Sequence, residues 1–377
     1  MDFDLTWLLW GLPIAFGLGW AASRFDLRQL RIENRLAPKA YFRGLNFLLN
    51  EQQDQAIDAF IEAVQNDPDT SELHFALGNL FRRRGEYERA VRVHEHLLSR
   101  GDLSRADRNR AQHALALDYL KAGLLDRAED ALRKLEGTGY EQEALLALLA
   151  IYERSRDWAQ ATEIARKLEA GARGQFTGRL AHYLCEQAAA APPAEAEELL
   201  RKAIGVSPLS PRATMDLAAL RRKAGDAAGS FDLLAGLLES VPAAIPLLAR
   251  PLTESAIASG RQAEALHQLR ASYEQYPSLD VLDGIAALET DPEAARNWYV
   301  QHLQREPSLV AAAKWLAGEK LEHEQFHPEV QRALDHAARP LTRYRCAACG
   351  FEAKQHFWQC PGCQSWDSYP ARRVEEL

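Results

Sequence analysis

The sequence predicts an all-α fold, and three observations predict it. Alanine and leucine are abundant while runs of valine, isoleucine and threonine are scarce, a composition that favours helices. Residues 37–338 are self-similar at a period near 34. On either side of that block stand 19 uncharged residues, Leu5 to Ser23, and two Cys-x-x-Cys pairs. The expected division is 1–24 a transmembrane anchor, 25–36 a basic juxtamembrane linker, 37–338 helical repeats in eight or nine units, and 339–377 a four-cysteine metal-binding domain and tail. With 377 residues, 47% hydrophobic and 26% charged, the chain has the material for a large buried core.

The first element is "LTWLLWGLPIAFGLGWAAS". As a helix it would extend about 29 Å at ~1.5 Å per residue, close to a bilayer's hydrocarbon thickness. Trp7, Trp10 and Trp20 would sit toward the two interfaces. Asp2 and Asp4 precede the run, whereas Arg24, Arg28, Arg31 and Arg35 follow it. The positive flank places the body on the cytoplasmic side, and its position after the run argues against a cleaved signal peptide. In that compartment thiols stay reduced and can hold a metal.

The repeats come next. "AYFRGLNFLLNEQQDQAIDAFIEAVQNDPD" aligns with "HFALGNLFRRRGEYERAVRVHEHLLSR", so that Gly44 matches Gly78, Phe47 matches Phe81 and Ala56 matches Ala90. Ala116, Tyr119 and Ala128 continue the pattern, then Tyr152 and Ala161. Later units are more degenerate, with Ala218, Ser230, Ala265 and Ala295 at the small positions. Pro68, Pro208, Pro242, Pro277 and Pro307 close their units. Small residues where two helices touch, large apolar ones beside them and a closing proline make the tetratricopeptide pattern. Each helix pair has an apolar face it cannot cover alone, so stacked neighbours bury it jointly and build a superhelix.

Such arrays bind partners along a groove lined by the first helix of each pair. Groove candidates are Tyr41, Phe75, Asn79, Arg82, Arg83, Arg110 and His113, with an acidic or carboxylate-ending segment as the expected occupant. The plainer reading makes Arg82, Arg83 and Arg84 a solvated helix end near the carboxyl-terminal dipole. His74 and His94 fall on core positions, and His94 and His96 are spaced to face different ways. Cys185, between apolar neighbours, reads as a small core residue. No Ser-His-Asp grouping, P-loop, Gly-x-Gly-x-x-Gly or His-Glu-x-x-His occurs, so an enzyme reading has no residues to rest on. A net charge of -8 and a pI near 5.8 argue against nucleic acid as a partner.

Last come Cys346, Cys349, Cys360 and Cys363. Two such pairs, ten residues apart, predict one tetrahedral four-thiolate site for a single metal ion. Zinc is favoured, with iron the alternative, because four thiolates bind both. "CPGC" resembles the second loop of rubredoxin-type electron carriers, although Gln364 stands where such loops usually have glycine. Arg345, Lys354, Arg372 and Arg373 balance Glu352, Asp367, Glu375 and Glu376, which disfavours phosphate contact. Phe351, Phe357, Trp358, Trp366 and Tyr369 are too many aromatics for so small a module to bury. It is therefore expected to pack on the repeats and fix their groove.

The order of these parts, with "LAPKAYFRGLNFLLNEQQDQAIDAFIEAV", "RYRCAACGF" and "WQCPGCQSWDS", resembles the lipopolysaccharide assembly protein B family over nearly the whole chain. The resemblance implies an inner-membrane, non-catalytic adaptor of Gram-negative bacteria that regulates lipopolysaccharide biosynthesis. It implies partnership with the membrane protease FtsH, its substrate the deacetylase LpxC, and other lipopolysaccharide assembly proteins. It also implies that the four cysteines are the metal ligands and residues 5–23 the anchor. Anchoring would raise the effective concentration of substrate beside the protease. Two other readings stand beside it: a membrane-tethered rubredoxin-like electron carrier, and a scaffold for another envelope assembly machine. Oligomeric state has no signature in the sequence.

Overall fold

The computed structural model describes residues 13–20, 39–67, 69–171, 175–319 and 324–377. Most of the expected anchor, the whole basic linker at 25–36 and Pro68 lie outside them. Residues 13–20 are helical and exposed. Among the described residues no single helix is long and apolar enough to cross a membrane.

The chain divides into two compact units, residues 1–155 and 156–377. The first unit holds α1 (39–49), α2 (Gln53–Asn66), α3 (Ser71–Arg84), α4 (Tyr87–Ser99), α5 (Arg105–Ala122), α6 (Leu125–Arg133) and α7 (Glu141–Ser155). Successive helices from α2 onward pack on one another, as the repeat pattern requires. Ala56, Ala90 and Ala128 are wholly buried where the paired helices meet. The two matched glycines explain the closeness of that contact. A Cβ on Gly44 would stand 2.9 Å from the Phe60 ring, and one on Gly78 would stand 2.5 Å from Nε2 of His94. Phe60 and His94 are themselves one period apart, so each first helix leaves a gap that a ring of the second helix fills.

At His94 the aromatic filler is also polar, and that one difference builds a network. His94 is fully buried, and its Nδ1 lies 2.5 Å from Oδ2 of Asp118, which is equally buried. Oδ1 of Asp118 accepts from Arg82 at 2.9 Å, and Arg82 also donates to the Ala114 carbonyl and to Oδ1 of Asn79. A buried carboxylate is tolerated only when its lone pairs are satisfied, and here two cations or donors from α3 and α4 satisfy one on α5. His74 and His94 thus occupy core positions, as their repeat register suggests.

The second unit runs through α8 (Trp158–Ala170), α9 (Thr177–Ala190), α10 (Pro193–Val206), α11 (Pro211–Lys223), α12 (Ala227–Ser240), α13 (Ile245–Ser259) and α14 (Gln262–Gln275). It continues with α15 (Leu279–Leu288), α16 (Pro292–Arg305), α17 (Leu309–Ala317) and α18 (His327–Ala338) before the cysteine module. Asp157, Ser210, Asp226, Ser278, Asp291 and Ser308 cap their helices by accepting first-turn N–H groups. Pro208, Pro242, Pro277 and Pro307 each follow the residue that ends a second helix, where a missing N–H breaks nothing. The core centres on Phe231, Leu234, Leu248, Leu269, Tyr273 and Ile285. Ser230, at a small position, meets Ser255 at 2.9 Å, so its hydroxyl is satisfied inside the core. Ala295 is only half-buried, in keeping with its irregular spacing. Cys185 is buried, and burial pushes its thiol up to about 12, which makes it an inert packing residue.

Candidate metal centre

The module is two hairpins of one design. In the first, β1 (Tyr344–Arg345) pairs antiparallel with β2 (Glu352–Ala353), and a cysteine stands at each side of the turn. In the second, a single bridge joins Gln359 to Trp366. The turns match bond for bond. Gly350 N–H donates to Cys346 O and Gln364 N–H to Cys360 O, both at 2.9 Å. Cys346 N–H donates to Phe351 O and Cys360 N–H to Ser365 O, again at 2.9 Å.

Gly350 and Gln364 therefore share one job, and both have positive φ, 77° and 63°. In the sequence Gln364 looked like a departure from a rubredoxin-type loop; its backbone adopts the glycine conformation regardless. An L-residue there carries a steric penalty of roughly 1–2 kcal/mol. Gln364→Gly is therefore expected to stabilise the metal-loaded module by about 1 kcal/mol. Competition with a chelator checks this: the variant should release metal more slowly, and faster release would refute the strain.

The four Sγ atoms lie within 4.8 Å of one another, with Cys346 to Cys363 at 3.8 Å and Cys349 to Cys360 at 3.7 Å. A tetrahedron of ~2.3 Å metal–sulfur bonds has edges of about 3.8 Å, so the donor set fits a four-thiolate ion. Backbone N–H groups of Cys349 and Ala348 point at Cys346, that of Phe351 at Cys349, and that of Ser365 at Cys363. Ser368 and Ser365 hydroxyls lie 3.3 Å from Cys346 and Cys363. Burial alone would raise the Cys346 thiol, but the Ser368 and backbone hydrogen bonds outweigh it and bring it down to about 6. The Ser365 hydroxyl and N–H likewise hold the Cys363 thiol down. Cys349, despite the Phe351 N–H, is pushed up to about 12 by burial and the neighbouring thiols, so a metal must displace its proton to take it as thiolate. Cys346 and Cys360 are buried while Cys349 is exposed.

Hydrogen bonds and aromatic rings fasten this module to the repeats of its own unit. Trp366 stacks on His182 of α9 with centroids 4.8 Å apart and meets Trp158 and Tyr183 edge-on. Nε2 of His182 lies 2.9 Å from the Asp367 carboxylate. Leu247 packs against the cluster of Tyr344, Cys346, Cys360 and Tyr369. Beyond the second hairpin, Arg373 donates to both Asp280 oxygens at 2.7 and 2.8 Å and lies 4.1 Å over the Tyr344 ring. Glu376 accepts the Leu279 N–H at 2.8 Å, and Glu375 accepts the Leu309 N–H at 2.6 Å. Ser278 and Ser308 already satisfy the third N–H of α15 and α17, so the glutamates complete caps that the serines begin.

A family profile described as "Rubredoxin metal binding domain" matches residues 344–369, and one described as "Tetratricopeptide repeat" matches residues 73–108. Over 390 aligned residues the chain is 31% identical to "Lipopolysaccharide assembly protein B" of Escherichia coli (strain K12), covering 99% of this chain and 100% of that one. The chain belongs to the lipopolysaccharide assembly protein B family. The protein of that name from Haemophilus influenzae is 29% identical, over 97% of each chain. Among solved structures, that of Naa15/Naa10 bound to HypK-THB is similar at TM-score 0.47 and 16% identity, over 81% of this chain and 47% of that one.

In this member of the lipopolysaccharide assembly protein B family the groove candidates of the first unit do not form one open site. Tyr41 sits edge-on to Phe42 and Phe60. Phe75 is 1% exposed beneath the Arg110 guanidinium, so it presents no surface of its own. Arg110 also pairs with Glu72, and His113 stacks on Tyr140 at 4.7 Å. Asn79, Arg82 and Arg83 line a recess of about 360 Å³ with Leu45 and Leu48. Within it, Arg82 is committed to Asp118, which corrects its reading as a solvated helix end. Arg83 is exposed and makes no ion pair among the described residues.

Proposed function

We propose that this chain is an inner-membrane adaptor, with its repeats on the cytoplasmic side, that promotes FtsH-dependent proteolysis of LpxC and thereby regulates lipopolysaccharide biosynthesis. The observation that carries the reading is the 31% identity, along 99% of the chain, to a protein named for lipopolysaccharide assembly. The uncharged run at 5–23 followed by four arginines supports the anchor. Stacked helix pairs without a catalytic constellation support binding rather than chemistry. The metal, for which we favour zinc, supplies fold: four thiolates hold it, the second hairpin brings Trp366 and Asp367 onto α9, and the tail that follows carries Glu376 and Glu375 to the starts of α15 and α17.

Depletion and complementation test this. Cells depleted of the protein should accumulate LpxC; the full chain should lower LpxC again, and a chain lacking residues 1–24 should not. Unchanged LpxC on depletion would remove the proteolysis role. Full rescue by the truncated chain would remove the need for anchoring.

A further inference from the structure

Terminal repeats of a helical array ordinarily turn a polar outer face to solvent. α1, the first repeat helix among the described residues, does not. Its inner side is accounted for: Ala40 and Gly44 are buried, and Tyr41, Leu45, Phe47 and Leu48 pack on the core formed with α2 and α3. On its outer side Phe42 is 65% exposed and Leu49 is 83% exposed. They stand seven residues apart in sequence, so two turns place them in line along the helix. Lys39, Arg43 and Asn46 are exposed on the same helix, and Arg43 pairs with Glu62 of α2.

Charge and chain length decide what covers this face. From Arg24 to Arg43 the cations are Arg24, Arg28, Arg31, Arg35, Lys39 and Arg43, against only Asp26 and Glu33. This local positive excess lies in a chain whose net charge is -8, and it fits an anionic lipid surface. Residues 24–38 separate the uncharged run from α1, a reach of at most about 55 Å even at full extension. We propose that α1 lies on the bilayer, with Phe42 and Leu49 entering the boundary between headgroups and acyl chains and Lys39 beside anionic phosphates. Two side chains would not hold a free protein on lipid, since even a single myristoyl chain binds marginally. A tethered chain needs far less, because the tether keeps α1 at high effective concentration beside the membrane. The inference rests on the anchor reading of residues 5–23, and its test reads anchor and helix separately.

The full chain is placed in nanodiscs of phosphatidylethanolamine and phosphatidylglycerol, part of the lipid carrying a diazirine high on one acyl chain. After irradiation, tandem mass spectrometry maps the lipid-labelled residues. Label is expected within 5–23 and within 39–49. Replacing Phe42→Ser and Leu49→Ser together, both at exposed positions where the fold is not at stake, should lower labelling of 39–49 by roughly fivefold or more. Labelling of 5–23 should not change, and Phe42→Leu, which keeps the apolar surface, should label like the parent. Label in 5–23 with none in 39–49 overturns the proposal and leaves the anchor standing. No label in either removes the anchor itself. Equal labelling of Phe326 and Val330, exposed apolar residues of the second unit, would mean non-specific contact and overturn the proposal as well. So would amine crosslinks at Lys39 between ¹⁴N and ¹⁵N chains in place of lipid label, which would make the face an interface between two copies.

Discussion

Stripping the metal with a chelator, or replacing Cys360 by serine, is expected to unfold the module and to lower the melting temperature of the second unit by about 10 °C. A body of fewer than ~40 residues has too little core to fold without its ion. Its loss would then propagate. The Trp366–His182 stack is worth about 1 kcal/mol. The glutamate caps on α15 and α17 contribute roughly 1 kcal/mol each. The paired Arg373 and Asp280, 23% and 14% exposed, add about another. Some 4 kcal/mol at ~2–4 °C per kcal/mol in a unit of this size gives the stated shift. Calorimetry with and without chelator measures it, with thiol titration reporting release of the four cysteines. If the thiols become reactive while the melting of the repeats stays put, docking adds nothing to the array and the module is a passenger.

Asp118→Ala is expected to destabilise the first unit by about 3–5 kcal/mol, because it removes one partner from a buried charged pair and leaves the other unmatched. His94 would lose the acceptor at its Nδ1, and Arg82 would lose its anion while held in place by Asn79 and the Ala114 carbonyl. Asp118→Asn keeps one acceptor and should lose less. Urea denaturation followed by circular dichroism checks both, and a loss below about 1 kcal/mol for the alanine variant would mean the network is not the tie it resembles. The burial of this pair also sets what surface variants report. A charge reversal at Arg82 probes folding first, whereas Arg83, exposed beside it, probes the surface.

The repeats were legible because steric demand repeats along a chain: a small residue is needed wherever helices touch, so Ala56, Ala90 and Ala128 reveal themselves by period alone. Metal ligation was legible for a similar reason, since a four-thiolate site requires paired cysteines close in sequence. The network at Asp118 was not, because it depends on residues 24 and 36 positions away that no local rule connects. Glu375 and Glu376 read only as negative charges in a balanced segment; their role as caps follows from where α15 and α17 come to lie. Gln364 misled in the other direction. Side-chain identity suggested a different loop, while the hydrogen bonds around it impose the same backbone as at Gly350. Phe75 and Arg82 share the register of groove residues, yet neighbouring helices claim both.

The glutamate caps have a consequence for the order of events during synthesis. Glu376 and Leu279 are 97 residues apart, and Glu375 and Leu309 are 66 apart. At ~5–20 residues per second, translation spends roughly 5–20 s between making the start of α15 and making the carboxylate that finishes it. Through that interval the helices nearest the metal module wait with incomplete first turns, while earlier repeats, built from contacts local in sequence, are free to close. Maturation of this chain therefore has a last, metal-dependent step, and a pool of newly made protein short of the ion would be an array completed at one side and open at the other.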